Sequence, residues 1–252
     1  MVDPFSHLQG APHPSESGWV PLTPAVPSYP PQSGAVAPPY PGLPFGAPPA
    51  WRPLPALPLG LATATVVLAA LWMALQILSW ALSFSAADAY RAAADLGRPA
   101  SEVFTAYDNL ALPMFPVMVA AWIVGCLWLQ ACRGVVQVVA PMVRQERGPV
   151  WVWLGWIIPV VALWFPYQVV RDVLRGAGVR AGAALGWWWA AWLVFSYSGN
   201  QAAFSTAGLS RYDPASVPRW ETVTTIAALA SGVLWIVMVL RVRHSHEQLR
   251  RG

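Results

Sequence analysis

Residues 148–178 read GPVWVWLGWIIPVVALWFPYQVVRDVLRGAG. The first 23 of them carry no charge, and a membrane-spanning helix needs roughly 20 apolar residues. Pro159 and Pro166 interrupt that run, each removing a helical hydrogen bond at a depth where protein or water must satisfy the freed carbonyl. After Pro166 the pattern changes. Val169, Val170, Val173, Leu174 and Ala177 fall on one helical face, and Gln168, Arg171, Asp172 and Arg175 fall on the other. A helix lying at a membrane surface has that pattern, so the stretch is expected to be a kinked intramembrane or interfacial segment. Asp172 is within reach of Arg175 at the i, i+3 spacing. The cluster reads either as a headgroup contact or polar-cavity rim, or as an anchoring ion pair at the interface.

Four more charge-free runs flank this one, at residues 53–87, 109–132, 181–210 and 222–240. Only 10% of the 252 residues are charged, against about 25% in a soluble domain. The expected fold class is all-α, a polytopic transmembrane helical bundle. It has four crossings, near residues 58–84, 110–132, 183–204 and 222–240, plus the kinked segment, or five crossings if that segment spans. Arginine placement favours four. All 15 basic residues are Arg, and cytoplasmic flanks are enriched in them. Four crossings with the N-terminus inside put 11 on the cytoplasmic side and leave four, Arg91, Arg98, Arg211 and Arg219, outside. The better five-crossing arrangement gives nine against six. The expected location is the plasma membrane, multi-pass, with a cytoplasmic N-terminal tail.

Residues 1–56 are that tail, residues 57–243 the transmembrane helical domain and residues 244–252 a polar C-terminal extension. Residues 1–58 hold 17 of the 26 prolines, so a disordered, partly polyproline II tail is expected. No secretory signal peptide is expected, and the first spanning helix serves as its own insertion signal. The tail repeats a PxxP spacing, as at Pro21, Pro24, Pro27 and Pro30. Its composition fits a solvated tether and a docking tail alike.

Residues suited to catalysis are scarce. Cys126 and Cys132, six apart on a helix, are about 9 Å apart along its axis, beyond disulfide reach, and read as packed thiols. His244 and His246 have no cysteine or carboxylate cluster beside them, so neither a metal nor a cofactor is expected. No phosphate loop, nucleophile elbow or zinc-protease motif occurs, and the chain is read as a non-enzyme. Gln76, Gln130, Asn200 and Gln201 are candidates for hydrogen bonds between helices. The 16 tryptophans cluster at segment ends, as at Trp151, Trp153, Trp156 and Trp164, then Trp187, Trp188, Trp189 and Trp192. They read as an interfacial aromatic belt or, more sharply, as the lining of a lipid or apolar-ligand groove. Small residues recur at Gly178, Gly182, Gly186 and Ala190, a candidate helix-packing groove within one chain or between two copies.

The run from Gly155 to Gly178, followed by GWWWAAWLV at Gly186 to Val194, resembles the domain of unknown function family 4328. The resemblance extends over about residues 60–248 and is strongest at Trp156, Pro159, Trp164, Pro166, Tyr167, Gln168, Arg171 and Asp172, the candidate intramembrane motif. It implies a multi-pass membrane protein, mostly actinobacterial, often with a Pro-rich tail, and it brings no activity with it. The functional expectation is a non-enzymatic membrane scaffold or interaction protein. The alternative is a small transporter or lipid-handling protein using the broken third segment. Expected partners are membrane lipids, a protein bound by the tail and a second copy of the chain. Nucleic acid is not expected, because the arginines form no continuous patch.

Overall fold

Leu59 opens a helix, α1 (Leu59–Asp95), that outruns its charge-free run. Asp88 and Arg91 pair at 2.7 Å one turn apart and carry it onward. Gly97, at φ +72°, stops the chain just beyond it, with Arg98 N–H donating to the Ala93 carbonyl at 2.9 Å. The computed structural model describes residues 55–99, 102–180, 182–206, 213 and 216–251. The expected Pro-rich tail, residues 1–56, lies outside the described residues except for its last two.

A one-turn helix, α2 (Ala106–Asn109), begins in a capping box. The Asp108 backbone N–H donates to the Thr105 hydroxyl, and the Thr105 backbone N–H donates to the Asp108 carboxylate. It leads directly into α3 (Ala111–Val139). The run quoted above then breaks into α4 (Trp151–Leu154), a 3-10 turn (Val161–Leu163) and α5 (Phe165–Gly176). The two long closing helices are α6 (Ala183–Thr206) and α7 (Val217–Arg251). The polar stretch at residues 244–251 continues α7 without a break.

Helix α6 packs on α7, α7 on α1 and α1 on α3, while α5 contacts both α3 and α6. The core is formed by Trp128, Leu129 and Cys132 of α3, Val169, Val170 and Val173 of α5, Trp188 of α6, and Met238 and Val239 of α7. Gly176 allows the closest approach, since a Cβ added there would run into the Val136 side chain of α3. Large apolar side chains such as Val67, Leu71, Phe84, Phe115, Ile226 and Val233 point outward on the long helices. A soluble monomer rarely exposes so much contiguous apolar surface. Among the described residues, three helical stretches are long and apolar enough to cross a membrane, Leu59–Asp95, Ala106–Val139 and Val217–Arg251.

Three local expectations need correction. Pro166 does not kink a continuous helix; it lies in the first turn of α5, where its missing N–H costs nothing. Asp172 is 1% exposed and makes no ion pair with Arg175; its carboxylate instead accepts from the Glu146 N–H of the 140–150 loop, which covers it. The small-residue stripe does not lie on one helix. Gly178 and Gly182, at φ +69° and +51°, belong to the link between α5 and α6, where only glycine adopts such backbone freely. Gly186 and Ala190 are exposed on α6, and a Cβ at Gly186 would meet nothing within 4 Å.

Candidate functional site

The broken segment is held in place by side chains that satisfy its free carbonyls. The Trp189 indole N–H donates to the Leu163 carbonyl at 3.0 Å and the Cys126 thiol to the Val152 carbonyl at 3.2 Å. Irregular backbone at membrane depth is tolerated where protein supplies such partners. Trp153 meets Trp122 edge to face at 5.6 Å, so the segment is wedged between α3 and α6.

Behind it lies a cavity of about 540 Å³, bounded by α1, α3, α6, α7 and the broken segment. Among the described residues, six tryptophans line it: Trp72, Trp122, Trp156, Trp188, Trp192 and Trp235. Its few polar groups include Thr65, Ser196 and Ser231. Pockets for small apolar ligands share that size and that excess of aromatic lining. The indoles continue as a chain of neighbours, Trp156 to Trp192 at 5.6 Å, Trp192 to Trp189 at 4.8 Å, Trp189 to Trp188 at 5.5 Å and Trp188 to Trp235 at 5.6 Å. Such ring pairs stabilise beyond their buried area. Two glycines border it differently. A Cβ at Gly125 would meet nothing within 4 Å, whereas one at Gly232 would come within 2.6 Å of the Met73 sulfur.

A polar cluster closes the end of the bundle where α3 stops. Glu146 N–H donates to Asp172 Oδ2 at 2.8 Å, and Arg147 Nε donates to Gln168 Oε1 at 2.6 Å. Arg171 pairs with Glu146 and lies 3.6 Å from Asp172. The buried Arg133 donates to the Arg147 carbonyl, and Gln145 donates to the Arg133 carbonyl at 3.2 Å. The guanidinium of Arg147 sits 3.9 Å from the centre of the Phe165 ring. The Arg171 guanidinium, donating to Glu146, holds its carboxyl below the ordinary carboxylate range. The same bond raises Arg171. This arrangement straps the 140–150 loop onto α5.

Towards the other end, Glu221 of α7 is buried at 5% exposure. It accepts hydrogen bonds from Gln76 of α1 at 2.8 Å and Tyr107 of α2 at 2.7 Å. Of the polar residues expected between helices, Gln76 takes that role; Asn200 instead bonds the Ser196 carbonyl of its own helix at 2.9 Å.

The eight motif residues therefore divide. Trp156 lines the cavity. Gln168, Arg171 and Asp172 join the polar cluster, and Tyr167 packs against Trp189 at 6.4 Å. Pro166 is buried in α5, while Pro159 and Trp164 are exposed. Sequence reasoning missed Glu221, Tyr107 and the Glu146 strap. Only the cost of a buried charge could have marked Glu221, since it stands just outside a charge-free run.

Fold and cavity together define an all-helical protein with helices apolar enough to cross a membrane and an apolar, tryptophan-lined cavity. The family model for the domain of unknown function DUF4328 matches residues 106–244, more than half of the chain, and the chain belongs to that family. No curated protein and no solved structure matches it.

Proposed function

We propose that this protein is a non-enzymatic, lipid-handling membrane protein whose bundle receives an apolar molecule of acyl-chain type in the tryptophan-lined cavity. The cavity itself is the observation that carries this reading: about 540 Å³, six indoles and few polar groups. The broken segment supports it by forming one wall through Trp156 and Ile157. The location is the plasma membrane. The arginine distribution favours four crossings, α1, α3, α6 and α7, with the N-terminal tail and the end of α7 on the cytoplasmic side. Helix α6 carries no charged residue over 24 positions, which at 1.5 Å per residue is about 36 Å, enough to span.

The binding test uses a brominated fatty acid, which quenches nearby indoles. Purified protein in micelles should show saturable quenching at one equivalent. Quenching that rises linearly with no saturation would count against the cavity. Topology is read by labelling cysteines placed one at a time at the exposed residues 180 and 250 of a protein in which Cys126 and Cys132 are replaced, which should react from the same side; opposite sides would sink the four-crossing arrangement.

A second reading, a membrane scaffold, is favoured by the PxxP spacing of the tail. Deletion of residues 2–50 should then abolish capture of a protein partner while leaving the bundle intact.

A further inference from the structure

Where the apolar part of α7 ends, the helix meets the link between α5 and α6. Gly178 turns the chain there, its N–H donating to the Arg175 carbonyl at 3.0 Å and Val179 N–H donating to the Leu174 carbonyl at 2.9 Å. The Ser245 hydroxyl of α7 donates to the Ala177 carbonyl at 2.7 Å, which pins the link against α7. Arg180 is thereby held on the same groove, of about 540 Å³, as Arg241 and His244.

The groove changes character along α7. Val237 and Leu240 form its apolar wall, and Arg241, His244 and Gln248 follow over the next two turns. Among the described residues, no carboxylate lines it. Glu247, close by on α7, is engaged by Arg243 at 2.8 Å. Neither Arg180 nor Arg241 has an ion pair among the described residues. An apolar wall running into two unpaired guanidiniums matches a phospholipid, its chain along the wall and its phosphate on the cations, which bind phosphate through charge-assisted hydrogen bonds. A zwitterionic headgroup would bring a second cation that finds no carboxylate in the lining.

We propose that this groove is a binding site for the phosphate group of an anionic phospholipid at the C-terminal end of α7. The site shares no lining residue with the tryptophan cavity, so it stands whether or not that cavity holds a ligand.

The test is native mass spectrometry of the full chain released from bilayers of equal phosphatidylglycerol and phosphatidylcholine. The unaltered protein should retain phosphatidylglycerol selectively. The double variant Arg180→Gln/Arg241→Gln should weaken that retention roughly 25-fold, about fivefold per arginine near the membrane surface. Arg180→Lys/Arg241→Lys should keep most of it, and Arg98→Gln, in an exposed pair with Glu102, should change nothing. If the double variant unfolds, Arg241→Gln alone gives the same decision at about fivefold. Equal retention by the unaltered and glutamine forms would overturn the proposal. So would complete displacement of the lipid by millimolar inorganic phosphate, which would reassign the groove to a free anion.

Discussion

The Gln76 side-chain amide donates to Glu221 Oε2 at 2.8 Å, joining α1 to α7 through residues 145 positions apart. Tyr107 completes the site from α2 at 2.7 Å, so one carboxyl group fixes three elements. Glu221→Ala orphans both donors, at about 1–3 kcal/mol for each buried group left unsatisfied. Glu221→Gln keeps an acceptor oxygen and should cost less. Thermal unfolding in micelles should rank the unaltered protein first, Glu221→Gln second and Glu221→Ala last; an alanine variant as stable as the unaltered protein would deny the site its structural role.

Gly176 and Val136 set the spacing of α5 on α3. Gly176→Ala should destabilise by about 1–3 kcal/mol through overpacking. Adding Val136→Ala should recover part of that loss, because the clashing side chain is shortened. A double-mutant cycle in the same unfolding assay reads the coupling, and strictly additive losses would contradict the contact.

Asp172 anchors the 140–150 loop through Glu146 N–H. Asp172→Ala should free the loop backbone, with faster tryptic cleavage after Arg144 and Arg147 and unchanged helix content. Equal cleavage rates would show that the strap contributes nothing to loop order.

The strap should also respond to acid. The Glu146 carboxyl is held below its ordinary pKa by Arg171, so its contribution is fully present above the ordinary value of about 4.3. It is lost as pH falls through the lower, folded value. Hydrogen-exchange protection across residues 140–150, taken relative to the intrinsic exchange rate at each pH, should therefore persist at neutral pH and fall only below about pH 4. A transition near neutral pH would point to another group.

The long helices were legible because a charge-free run of 19 or more residues leaves few alternatives to a buried or spanning helix. Their ends were not. Helices α1 and α7 continue past their charge-free runs on local pairs such as Asp88 with Arg91 and Arg243 with Glu247, which hydropathy counts as interruptions. The break in the third run was legible in Pro159, but the burial of Asp172 was not. It depends on a loop 26 residues upstream folding across α5, and periodicity within one helix carries no trace of that. The tryptophans were ambiguous for a related reason. Helix α6 is apolar on all sides, so nothing in its pattern distinguishes Trp192, in the cavity lining, from Trp187, which is 69% exposed.

Gly125 gives the most direct test of the cavity. A side chain there would enter open space, and replacing a helical glycine does not cost helix propensity. Gly125→Leu should therefore fill part of the cavity while the protein stays folded, whereas a side chain at Gly232 would first have to displace the Met73 side chain. The decisive measurement is tryptophan quenching by a brominated fatty acid in the unaltered protein and in Gly125→Leu, with unfolding temperature recorded for both. Loss of the saturable quenching in a variant that remains as stable as the unaltered protein is the predicted result. Saturable quenching of equal affinity in both proteins would contradict an apolar ligand in the cavity.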